Sequence, residues 1–121
     1  HSSPRRQRQM CIRDRCLSAL VSSAYGMLFD SQTMRGYCQQ YLKLIALEDN
    51  VDHYEAGLCS GYISSTIELM SYSQQLCQRD QLNVDQIISH YVAETEQTNT
   101  DSQQPALVII MGVLEQHHGC Q

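Results

Sequence analysis

The sequence predicts an all-α fold, a small antiparallel bundle of about four helices stapled by two disulfides. Three observations point there: apolar residues recur at three-to-four spacing, helix start and stop residues bracket those runs, and four cysteines follow residue 30 in a chain of only 121 residues. One domain is all that this length supports.

The first helix is expected over 31–47. Asp30 and Ser31 can cap its start, and Met34, Cys38, Tyr41, Leu42 and Ile45 supply its apolar face. "EDNVD" at 48–52 is acidic turn material. A second helix is expected over 53–76, where Cys59, Ile63, Thr66, Met70, Ser73 and Cys77 form one stripe and Leu58, Tyr62, Leu69 and Leu76 an adjoining one. Gly57 and Gly61 lie one turn apart within it. Glycine weakens a helix interior by up to about 1 kcal/mol, so the pair predicts another backbone passing close, unless the helix starts only after Gly61.

Asn83 and Gln86 form a capping-box-like pair that opens a short third helix with Val84, Ile87, Ile88, Tyr91 and Val92 inward. "TEQTNTDSQQ" at 95–104 is wholly polar and reads as a loop. Pro105 suits the first turn of a final helix and Gly119 its C-terminal cap. The segment "ALVIIMGVL" at 106–114 is apolar all round, as a central buried helix would be, although its Val and Ile content also permits a strand. It is far shorter than the ~20 apolar residues needed to cross a bilayer, so no membrane insertion is expected.

The opening fifteen residues differ from the rest. Arg5, Arg6, Arg8, Arg13 and Arg15 are five of the eight Lys and Arg residues in the chain. A basic cluster can bind phosphate or precede a secretory hydrophobic run. "RRQRQMCIRDR", however, back-translates to CGT CGG CAG CGT CAG ATG TGT ATA AGA GAC AGR, which resembles the transposon adapter used in short-read sequencing. Residues 1–15 are therefore read as adapter-derived and outside the domain. Residues 16–26, "CLSALVSSAYG", look like a truncated signal-peptide remnant, with Ser22 and Ala24 at the small positions of a cleavage site and Gly26 as a second candidate end. The helical domain is then 27–121.

Setting the opening aside changes the electrostatics. Removing five Arg and Asp14 leaves three basic and twelve acidic residues, a net charge of −9 on 16–121. Only Arg35, Lys43 and Arg79 remain basic. Such a surface repels nucleic acid and anionic lipid, and fits a basic protein partner.

Of six cysteines, Cys11 falls in the opening and Cys16 in the signal-peptide remnant; Cys38, Cys59, Cys77 and Cys120 remain. An even number in so short a chain reads as a disulfide framework in an oxidising compartment, and hence as export. Their spacings hold neither C-x-x-C nor a paired Cys/His knuckle, which disfavours zinc. Cys38 should face Cys59 across the first hairpin, and Cys77, ending the second helix, should lie beside Cys120, ending the fourth.

No catalytic residue, metal site or cofactor is expected. His117 and His118 are adjacent near a helix end, where their charge is favourable. His53 sits in a polar entry turn, and His90 reads as a partly buried core histidine. Phosphate loops, nucleophile elbows and H-E-x-x-H are all missing from the sequence.

"YEAGLCSGYISSTIELM" (54–70), Cys77, "VDQIISHYV" (84–92), "QPALVIIMGVLEQ" (104–116) and the final Cys120 together resemble the Rap/Tai family of immunity proteins of type VI secretion systems, over about residues 30–121. The most specific element is C-x-G-Y-I at Cys59, Gly61, Tyr62 and Ile63. Ser64 and Ser65 stand where the family often has glycine-containing sequence, and "HHGC" replaces an aromatic-Pro-Cys ending. The resemblance implies a periplasmic, helical, disulfide-bonded inhibitor, often a homodimer, that occludes the cleft of a delivered Cys–His peptidoglycan amidase. On that reading the polar loop, with Glu94, Glu96 and Asp101, is the candidate contact element. The competing readings are a periplasmic chaperone, which would expose apolar surface in acid, and a structural envelope subunit, which would inhibit no enzyme.

Overall fold

A computed structural model describes residues 29–77, 81–97 and 103–120. The readings made for residues 1–15 and 16–26, and for Asp101, lie outside the described residues. Four helices run α1 Ser31–Ile45, α2 His53–Tyr72, α3 Val84–Gln97 and α4 Ala106–His118. Among the described residues no strand occurs, only isolated bridges at Asp30–Pro105 and Leu76–Gly119, so the 106–114 segment resolves as helix. The described residues are all-α with two disulfides, Cys38–Cys59 across the first hairpin and Cys77–Cys120 where the ends of the second and fourth helices meet, as expected.

Two helices start on the expected caps, Asp30 and Asn83, and α2 starts on Asp52, which the sequence pattern places only in a turn. The Asp30 carboxylate accepts from the Thr33 N–H at 2.7 Å, Asp52 from the Glu55 N–H at 3.0 Å, and the Asn83 side chain from the Gln86 N–H at 3.2 Å. Pro105 stands at the N-cap of α4, one residue before the first helical turn.

The first two helices stop earlier than their apolar spacing predicts. Past Ile45 the N–H of Leu47 donates to Leu44 O and that of Glu48 to Lys43 O; past Tyr72 the N–H of Gln74 donates to Ser71 O and that of Gln75 to Met70 O. Each set is a Schellman ending, which needs one left-handed residue. Leu47 (φ 59°) and Gln74 (φ 64°) fill that role instead of glycine. A left-handed side chain costs roughly 1–2 kcal/mol. Gln74→Gly is accordingly expected to raise stability by about 1 kcal/mol, read as a higher denaturant midpoint with an unchanged slope. A lower midpoint would show that the Gln74 side chain contributes more than its backbone geometry loses.

One stripe of each helix faces the core. Met34 and Cys38 come from α1, Cys59, Ile63 and Met70 from α2, Ile87, Ile88 and Tyr91 from α3, and Ala106, Ile110 and Leu114 from α4. The first stripe read on α2 is correct through Met70, but Ser73 and Cys77 are exposed beyond the helix end. The second stripe only borders the core: Leu58 and Tyr62 are half-buried, Tyr62 packing against the core, and Leu69 is 63% exposed, while Leu76, beyond the helix end, is buried. Ile45 is likewise 45% exposed, because α1 ends there. The fourth helix is not central; Leu107 and Val108 lie on the surface while Ile110 and Leu114 are buried.

The backbone approach expected at Gly57 and Gly61 is absent. A Cβ built on either would meet nothing within 4 Å, and α2 begins at His53, ahead of both. At Gly119, by contrast, a Cβ would come within 2.5 Å of the Glu115 carbonyl oxygen, so only glycine fits that turn.

Long-range bonds place the helices. Ser31 N–H donates to Gln104 O and Ala106 N–H to Phe29 O, joining the starts of α1 and α4; Cys77 N–H donates to His118 O beside the second disulfide, holding the end of α4. Across α1 and α3, the Tyr41 hydroxyl donates to the Asp85 carboxylate at 2.5 Å and the buried Tyr91 hydroxyl to Ser31 O at 2.9 Å. The bond to Asp85, followed by burial, pushes the Tyr41 pKa up to about 12.

Candidate protein-binding surface

The described residues hold no group of three His, Cys, Asp or Glu side chains that could hold a metal ion. The four cysteines of the domain are all tied in disulfides, and none is available as a thiolate nucleophile. What the fold offers is a set of rigidly held surfaces.

The first lies where α3 meets the end of α4. His90 and His117 stack with ring centroids 4.1 Å apart and planes 15° from parallel, and His118 lies 6.5 Å from His117. The sequence placed these side chains separately; only packing brings them together. Desolvation, then the neighbouring His117 and His118, pushes the His90 pKa below its usual value. The groups that face His90 from α4 are those two histidines, and its own helix carries Glu94 one turn on. Because the folded state binds the His90 proton less readily than the unfolded state, stability is fully present above the ordinary histidine range and falls as pH drops through the lowered value. The melting temperature should therefore decline between about pH 7 and pH 5, and His90→Gln should flatten that decline. An identical slope in the variant would remove His90 as its source.

The C-x-G-Y-I residues divide by direction. Cys59 and Ile63 are fully buried, Cys59 in its disulfide to Cys38. Tyr62 is half-buried and meets Phe29 edge-on at 5.5 Å, and burial raises its pKa. Gly61 points outward, with nothing near it.

The third surface is the end of α3. The loop expected from residue 95 begins later, because helix continues through Gln97, so Glu94 and Glu96 are helical and not part of a loop. The Arg35 guanidinium donates to Thr95 O at 2.6 Å, and the Gln39 amide to the Glu96 carboxylate at 2.8 Å. Thr95 itself is buried, its hydroxyl donating back to Tyr91 O and Val92 O. Two α1 side chains thus fix the point from which the polar segment departs. Beside it a shallow depression is lined by Glu94, Gln104, Val108, Ile109 and Gly112.

The model of one protein family, described as Rap1a immunity proteins, matches residues 30–120. The chain belongs to the Rap1a immunity protein family. The matched span starts at Asp30, the cap of α1, and ends at Cys120, the last disulfide partner, so this Rap1a domain coincides with the four helices and their two staples. No curated protein and no solved structure matches the chain. Membership makes this an immunity-type protein, whose work is binding a cognate secreted effector protein. Two disulfides fit an exported Rap1a protein, and no described helix is long and apolar enough to cross a membrane.

Proposed function

We propose that this Rap1a protein is exported to the periplasm and there neutralises a peptidoglycan amidase delivered by a type VI secretion system. It is an inhibitor and not an enzyme. It acts by occupying the active-site cleft of the toxin, without cofactor or metal. The observation that carries this reading is the family match from Asp30 to Cys120, which takes in the whole disulfide-bonded bundle. Net negative charge supports it, because an acidic inhibitor associates faster with a basic cleft and the rate falls as salt rises.

The segment from Glu94 to Gln104 is the proposed blocking element, with Glu94, Glu96 and Asp101 as its acidic contacts. Its base is suited to the task, since Arg35 and Gln39 hold the end of α3 and so reduce the ordering cost of binding.

The test begins with long-read resequencing of the locus across the basic opening and into both neighbouring genes. A complete signal peptide beside a gene for a Cys–His amidase is the expected result. The purified neighbour should then lose peptidoglycan hydrolysis on adding one equivalent of this protein. Acid-induced dye binding with no inhibition would favour a chaperone, and neither behaviour would favour a structural subunit.

A further inference from the structure

The turn between α1 and α2 shows large apolar groups to solvent. Ile45 is 45% exposed, Leu47 89% and Tyr54 76%. Leu47 is held at φ 59°, in the left-handed region where glycine would serve the helix ending better, and Asn50 repeats that conformation three residues on. A leucine there is unfavourable twice for the isolated domain, once in its backbone and once in its exposed side chain.

Carboxylates accompany these apolar groups. Glu48, Asp49, Asp52 and Glu55 fall within a short stretch, and no Lys or Arg occurs between Lys43 and Arg79. Asp52 is occupied as the cap of α2, accepting from the Glu55 N–H. Glu48 and Asp49 are exposed, and neither side chain enters an ion pair or hydrogen bond with another described residue. We propose that this turn, from Ile45 to Tyr54, is a second docking surface for the secreted effector. Leu47 enters an apolar hollow of the toxin, and Lys or Arg side chains at the edge of that hollow pair with Glu48 and Asp49. The inference rests on the immunity reading and adds to it a surface outside the Glu94 to Gln104 segment.

Charge selects the occupant. A second copy of this acidic chain would bring like charge toward Glu48 and Asp49, and nucleic acid or anionic lipid would do the same. A basic protein surface is complementary to them and is drawn in faster for it. An apolar anchor inside a polar rim is also how protein interfaces concentrate affinity, because the rim excludes water from the anchor.

Rigidity and position support the same assignment. The Asp52 N–H donates to the Gln40 side-chain oxygen at 2.9 Å, the Leu47 and Glu48 N–H groups close the end of α1, and Cys38–Cys59 ties the two helices together. A surface already ordered loses little freedom on binding. Gln39, the neighbour of Gln40 on α1, holds Glu96 at the end of α3. The turn and the proposed blocking segment are therefore anchored on adjacent residues of one helix, and Ile45 lies only about 9 Å along α1 from Gln39. A single interface of ordinary size, on the order of 800 Å² per partner, can span both.

Surface plasmon resonance of the full chain against the purified neighbouring-gene amidase, across a salt series, tests the proposal. Leu47→Gly and Leu47→Asn both suit the left-handed backbone. Each should weaken binding about tenfold or more, mainly through faster dissociation, while the denaturant midpoint stays level or rises. The double variant Glu48→Lys, Asp49→Lys should associate about tenfold more slowly at low salt, with the difference shrinking as salt rises. An amidase that the parent chain neither binds nor inhibits would overturn the immunity reading and the docking surface together. Parent-like binding by both Leu47 variants, with inhibition by the parent intact, would overturn the docking surface alone. Light scattering on the same samples covers the remaining occupant: Leu47 variants that change the mass of the free protein and not its toxin affinity would assign the turn to a second copy and overturn the proposal.

Discussion

Under a thiol reductant at neutral pH, Cys77–Cys120 will open first, and Cys38–Cys59 will persist until the bundle unfolds. Cys77 and Cys120 are exposed, just past the ends of α2 and α4, whereas Cys38 and Cys59 are both 0% exposed between α1 and α2. Exchange requires a thiolate to reach a sulfur, so burial protects the inner bond in proportion to the stability of the fold. Alkylation followed by peptide mass analysis would show the order. Simultaneous opening of both bonds would mean that losing the outer one already unfolds the domain.

The energetic effect is large on either path. The bonds join residues 21 and 43 apart in sequence, and in the chain-entropy model such closures contribute about 3 and about 4 kcal/mol. Domains of this size are stable by only about 5–15 kcal/mol, so full reduction should lower the melting temperature by tens of degrees or abolish the transition. A melting temperature that does not change on reduction would contradict both bonds as stabilising elements.

Tyr91 is the second position of large effect. It is fully buried at the centre of α3, and its hydroxyl donates to the Ser31 carbonyl at the first residue of α1. Burial raises its pKa, so the phenol stays neutral throughout the physiological range. Tyr91→Ala removes a whole ring from the core and should cost about 3–5 kcal/mol. Tyr91→Phe keeps the packing and removes one buried donor, for about 1–2 kcal/mol. Denaturant titration of the two variants separates the contributions. Equal losses would mean that the hydrogen bond, and not the ring, holds α3 on α1.

Much of this architecture was legible in the chain. Polar caps at Asp30 and Asn83 mark helix starts because their side chains satisfy backbone N–H groups that any helix leaves open. The Cys59, Ile63, Thr66, Met70 stripe follows from the helical repeat alone. The cystine partners follow from an antiparallel bundle, with Cys38 and Cys59 across the first hairpin and Cys77 and Cys120 at the ends of the second and fourth helices. The helix stops were not legible, because the usual left-handed residue is glycine, and Leu47 and Gln74 carry no such mark. Nor was the extent of α3: the polar run from Thr95 gave no apolar signal, yet Arg35 and Gln39 hold it helical through Gln97.

The sequence by itself determined the number and order of the helices, the starts of α1 and α3, the main apolar stripe of α2, the pairing chemistry of its four cysteines, and the motifs that tie the chain to the Rap1a family. These are local properties, set by residue type and by spacing along one helix. Only the tertiary structure decided which of two apolar arcs on α2 is covered, that Gly57 and Gly61 face outward, and that His90 stacks on His117. Periodicity reports that a face is apolar. Which neighbour covers it depends on where the other helices lie, and that is fixed by contacts between residues far apart in the chain.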